Sequence, residues 1–126
     1  MCVSFYAATD YEYGTPSDLR GLSIYYVDTG TDIATRNEIA AKLREQVPAL
    51  RLANAREDAQ ISVDVTGNDG DDDGAVFIIY VAGKEGRARL IQKFAYTHSK
   101  LSRLRPTSRF ARDFAKLWHD AQSSGQ

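Results

Sequence analysis

A chain of 126 residues is long enough for one domain that buries its own apolar core. With 43% hydrophobic and 26% charged residues it has the composition of a globular protein, not of a disordered one. Its longest apolar run, Ala75 to Ala82, falls well short of the roughly 20 residues of a membrane span. The formal net charge of −1 conceals a division: residues 1–83 carry 6 Lys/Arg against 14 Asp/Glu, and residues 84–126 carry 10 against 3.

Residues 1–21 read as an N-terminal extension. Val3, Phe5 and Ala7 alternate with Ser4 and Tyr6, which predicts a short strand, and a loop follows through Gly14, Pro16 and Gly21. Leu22 to Val27 has the β-branched and aromatic content of a buried strand. A helix comes next, with two candidate starts. Thr35 to Glu38 matches a capping box, and Asp32 offers an earlier cap. Ile39, Ala40, Leu43 and Val47 recur at helical spacing, and Pro48 ends the run because the residue before proline is disfavoured in helix. Leu50 and Leu52 predict a brief strand, and Asn54 to Asp58 a polar turn.

Gln60 to Thr66 alternates, with Ile61, Val63 and Val65 on one face and Ser62, Asp64 and Thr66 on the other. An acidic loop spans Gly67 to Gly74. Ala75 to Ala82 is apolar on both faces, as in a central strand. Gly83 to Gly86 predicts a hairpin turn into a strand over Arg87 to Tyr96. The alternation there places Ala88, Leu90, Phe94 and Tyr96 inward and Arg87, Arg89 and Lys93 outward, with Gln92 as the misfit. After a basic loop, Thr107 or Ser108 caps a last helix whose Phe110, Phe114, Leu117, Trp118 and Ala121 form one apolar stripe. Residues 123–126 form a fraying tail. The order β-α-β-β-β-β-α over residues 22–122 predicts a single α+β domain. It is a two-layer sandwich, with a mainly antiparallel sheet of four or five strands and two helices on one face.

Few residues carry a chemical signature. Asp69, Asp71, Asp73 and Gly74 reproduce the D-x-D-x-D-G opening of a calcium loop. The twelfth position, where an EF-hand needs glutamate, is Tyr80 in a predicted strand, which leaves at most a looser Ca²⁺-binding hairpin beside the plainer reading of a solvated turn. Arg87, Arg89, Lys93, Arg103, Arg105 and Arg109 are candidates for contacts to a polyanion such as nucleic acid, provided they share one surface. Against that stands an ordinary charged surface, partly neutralised by the acidic half. His98 and His119 sit in no metal-ligand pattern, and no nucleophile elbow, phosphate loop or dinucleotide fingerprint is present. The expectation is therefore a non-enzymatic protein without a resident cofactor. Cys2, the single cysteine, excludes an internal disulfide. The sequence shows no signal peptide. Were Met1 an added start, Cys2 would match the lipid-bearing first residue of a mature bacterial lipoprotein, the one route to a membrane this chain suggests.

Three stretches together carry a resemblance: Ser23 to Asp28 running into Thr35 to Ile39, Ala55 to Val63, and Arg105 to Phe114. The combination resembles small uncharacterised bacterial envelope proteins of the Acidobacteria type, many of them lipoproteins. The arrangement is similar to the N-terminal domain of TolB and related envelope accessory domains. The resemblance implies a periplasmic or envelope location, a protein partner, an accessory or binding role and a lipid anchor at Cys2. It carries no catalytic residue across. The alternative is a cytoplasmic polyanion-binding module, and the third reading is a calcium-dependent binding domain.

Overall fold

The structure, a computed structural model, describes residues 11–67, 75–82, 87–96 and 106–123. Strands β1 (Tyr11–Tyr13), β2 (Ile24–Asp28), β3 (Arg51–Leu52), β4 (Ile61–Gly67), β5 (Ala75–Ala82) and β6 (Ala88–Tyr96) form one sheet in the order β1-β6-β5-β4-β2-β3. The long central pairs, β4 with β5 and β5 with β6, are antiparallel. The shorter pairs β1–β6, β2–β4 and β2–β3 are parallel. Helices α1 (Ile33–Gln46) and α2 (Pro106–Ser123) cover the same face and pack on each other. The result is the expected α+β sandwich, with six strands.

One buried cluster joins the two layers. Tyr25 and Val27 of β2, Ile61 and Val63 of β4, and Phe77 and Ile79 of β5 meet Ile39 and Leu43 of α1 and Phe110, Phe114 and Trp118 of α2. Their period of two along the strands and of about 3.6 along the helices is the periodicity that the sequence displays. Phe110 stacks on Phe77 with ring centroids 4.3 Å apart and on Phe114 at 5.5 Å, while Tyr96 meets Phe77 edge-on at 5.8 Å.

Residues 11–21 belong to the same body. Leu19, in a short 3₁₀ turn over Pro16–Leu19, is fully buried in the core. Gln122 of α2 holds this segment by accepting the Gly21 N–H (2.9 Å) and donating to the Leu19 carbonyl (2.9 Å). The Trp118 indole N–H donates to the Leu22 carbonyl at 2.7 Å. Gly21 turns the chain here at φ +81°, a conformation that side chains with a Cβ rarely adopt.

The start of α1 is decided by hydrogen bonds. Asp32, not Thr35, caps α1: its carboxylate accepts the Thr35 N–H (3.0 Å) and the Thr35 hydroxyl (2.6 Å). The Thr35 hydroxyl, and then its amide, hold the Asp32 carboxyl below the usual carboxylate range. α2 begins at Pro106, before the predicted caps Thr107 and Ser108. Proline suits the first turn, where no backbone donor is required. Thr107 is buried, and its hydroxyl donates to Glu38 of α1 at 2.9 Å.

β6 departs from simple alternation. Gln92 pairs with Ile79 but Leu90 pairs with Tyr80, so Ile91 is an extra residue that shifts the register. Beyond the bulge Phe94 and Tyr96 face the helices, as expected. Before it the phase is reversed: Ala88 and Leu90 pack with Ile78 and Tyr80 on the helix-free face, and Arg89, opposite Val81, turns to the helix side. The inward placement of Ala88 and Leu90 and the outward placement of Arg89 are thereby corrected.

Phe110→Ala would remove the ring shared by both stacks. A loss of about 3–5 kcal/mol of unfolding free energy is expected, read from urea denaturation followed by circular dichroism.

Candidate functional site

The cations expected to gather into one basic surface are dispersed among the described residues. Arg89 lies against β1, where its guanidinium contacts Glu12 Oε1 (3.2 Å) and Asp18 Oδ1 (3.3 Å). Gly14 permits this approach, since a Cβ there would stand 2.5 Å from Arg89 Cγ. Lys93 is exposed on the opposite, helix-free face, in register with Ile78. Arg87 precedes β6 at its exposed end, and the Arg109 guanidinium covers the Tyr96 ring at 4.7 Å. Burial pushes the Tyr96 phenol well above its ordinary range, aided by its 2.6 Å hydrogen bond to Asp113. Arg103 and Arg105 lie outside the described residues, as do Cys2 and the acidic loop with Asp69, Asp71 and Asp73. No group of three metal-ligating side chains forms among the described residues, and none of the described helices is long and apolar enough to cross a membrane.

Two other constellations form at the β2 side of the sheet. On the helix-free face, the segment joining β3 to β4 carries a 3₁₀ turn, Arg56–Asp58, and lays Arg56 over Tyr26 of β2. Arg56 is ion-paired with Asp28, and its guanidinium lies 5.7 Å from the Tyr26 ring centre. Arg36 from α1 lies 5.8 Å from the same ring. Asp28 and Asp64 are register partners on adjacent parallel strands, so two carboxylates stand side by side. Desolvation raises the Asp64 carboxyl above its ordinary 3.8, Arg56 opposes that shift, and Asp28 adds to it. Ser62 is fully buried beside them, with its hydroxyl 3.4 Å from Asp64 Oδ1. Arg56 thus compensates the two carboxylates, and Arg36 stacks on the Tyr26 ring with its buried Nε lacking a partner among the described residues. The cluster ties the β3–β4 connection to the sheet.

The second constellation is a concave pocket of about 500 Å³ between the C-terminal end of α1 and β3. Its size is that of a small-ligand or side-chain pocket, which ranges over about 300–1,000 Å³. Arg44 of α1 and Arg51 of β3 line it together with Tyr25, Pro48, Leu52 and Asn54, and its lining contains no carboxylate. β3 is also the edge of the sheet. The Arg51 and Ala53 amides donate inward to Ser23 (2.8 Å) and Tyr25 (2.7 Å), so the intervening Leu52 N–H points away from β2, along the outer edge.

No site residue proposed from the sequence lies in this pocket. Arg44 reads as one charge on a helix and Arg51 as one in a two-residue strand; only the crossover from β2 through α1 to β3 brings them together. No family model matches the chain, and neither curated proteins nor solved structures provide a match.

The carboxyl carbon of Asp64 is expected to titrate above the ordinary aspartate midpoint by nuclear magnetic resonance, and higher still in Arg56→Gln. Because the native group binds its proton more tightly than the unfolded one, stability falls as pH rises from 3.8 through the raised native value. Asp64→Asn should remove that slope from thermal melts taken across the acid range.

Proposed function

We propose that the chain is a non-enzymatic accessory domain of the bacterial cell envelope that acts through protein–protein contacts. The observation that carries the proposal is the outer edge of β3, where the Leu52 N–H is directed away from the sheet. A partner segment in extended conformation can pair there, gaining backbone hydrogen bonds from the edge and side-chain contacts from the neighbouring pocket. β3 is only two residues long, which limits pairing to a short segment and opposes edge-to-edge association of the domain with itself.

The envelope location rests on the sequence resemblance, and Cys2 supplies an anchor for it. The polyanion alternative gains no support from the described cations, since Arg89 and Lys93 project to opposite faces and Arg89 is shared between two carboxylates.

A photocrosslinking amino acid placed at Asn54 in cells expressing the whole chain should yield a discrete protein adduct in the envelope fraction. Leu52→Pro, which removes the outward N–H, should abolish the adduct while circular dichroism confirms that the fold persists. An adduct of equal yield from a crosslinker at Lys116 on α2, or none from Asn54, would overturn the proposal.

A further inference from the structure

We infer that the pocket beside β3 is a carboxylate-recognition site, and that the segment pairing with this edge carries an acidic side chain which Arg44 and Arg51 receive. The inference rests on the edge-pairing reading above and adds the chemistry of the partner.

Three observations converge on it. The first is uncompensated charge. Arg56, Arg89 and Arg112 have acidic partners, but Arg44 and Arg51 form no ion pair or side-chain hydrogen bond among the described residues. Two guanidiniums lining one concavity repel each other unless an anion lies between them, and a carboxylate matches the planar donor fork of arginine. The second is a waiting donor. Tyr25 is only 2% exposed, lines the pocket, and has no hydrogen-bond partner for its hydroxyl among the described residues. The hydroxyl is not sealed from solvent, and an entering carboxylate oxygen accepts its hydrogen bond in place of water. Burial pushes this phenol up to about 12, with Arg44 opposing, so the proton needed for donation is retained at neutral pH.

The third observation is the composition of the wall. Pro48 and Leu52 give the pocket an apolar side next to the arginines. An extended segment that alternates an acidic residue with an apolar one meets both chemistries. Such a segment sets successive side chains on opposite faces, while its backbone reaches the Leu52 N–H. The charge sign agrees: the lining offers two cations and no anion, so a basic segment is repelled.

The test uses the whole ¹⁵N-labelled protein and an acetylated, amidated hexapeptide in which valine alternates with glutamate. Its control is the same peptide with glutamine in place of glutamate. The blocked termini leave the side chains as the only carboxylates. The glutamate peptide should shift the Leu52 and Asn54 amides and the Arg44 and Arg51 side-chain N–H signals, and bind at least tenfold more tightly than the control. Arg44→Gln with Arg51→Gln should erase that preference, whereas Arg112→Gln, on the exposed side of α2, should leave it intact. Tyr25→Phe should weaken the glutamate peptide and spare the control. Equal affinities for the two peptides, with the same amides shifting, would overturn carboxylate recognition and leave edge pairing standing. Absence of any shift at Leu52 and Asn54 with either peptide would overturn both.

Discussion

The Phe110 ring is the contact on which the two layers depend. It stacks nearly parallel on Phe77 from the centre of the sheet and on Phe114 one turn along its own helix, with interplanar angles of 7° and 11°. These rings bring β5 and α2 into direct contact, and offset aromatic pairs contribute beyond the area they bury. α1 then packs against α2, so the first helix is held largely through the second. The same helix reaches the N-terminal segment through Trp118 and Gln122, which bond to the backbone around Leu19 and Leu22. α2 therefore organises elements that lie almost the length of the chain apart.

A single inserted residue decides the surface chemistry. The bulge at Ile91 reverses the phase of β6, sending Arg89 to the helix side and an apolar pair to the other face. Arg89 then meets Glu12 and Asp18, so one of the most basic stretches is neutralised by the acidic N-terminal part. A similar match occurs across the sheet, where Arg56 lies against Asp28 and beside Asp64. At Arg89 the division of charge along the sequence becomes complementarity inside one fold, whereas the Arg56 cluster balances charge within the acidic half. Arg44 and Arg51 differ from the other acidic-half cations in lining one pocket together at the sheet edge, where no carboxylate stands between them.

Much of this was legible in the sequence. The stripe of α2, the alternation of β4 and the two-sided apolar run of β5 each express a local period that packing then uses, so their type and burial follow from side-chain spacing alone. The helix starts were less legible because several residues compete for one role. Asp32 and Thr35 both satisfy the local rules for an N-cap, and the choice fell to Asp32. The predicted capping partner Glu38 instead accepts from Thr107, itself a predicted cap of the other helix. That exchange between helices is invisible to any rule confined to one of them. The candidate pocket was wholly hidden, since its polar residues come from β2, α1, β3 and the turn after it, none of which carries a motif.

The amino-acid sequence by itself determined the element types from β2 to α2, the two-layer α+β arrangement and the aromatic stripe that closes it, because these depend on periodicity within a few turns or a single strand. β1 (Tyr11–Tyr13) falls in a stretch read as loop. Tertiary structure alone decided the strand order, the phase of β6 and the meeting of Tyr25, Arg44 and Arg51. A register shift moves every later side chain to the other face, and a crossover joins residues whose separation in sequence says nothing of their distance. Which charges are neutralised and which remain for a partner is settled at that level.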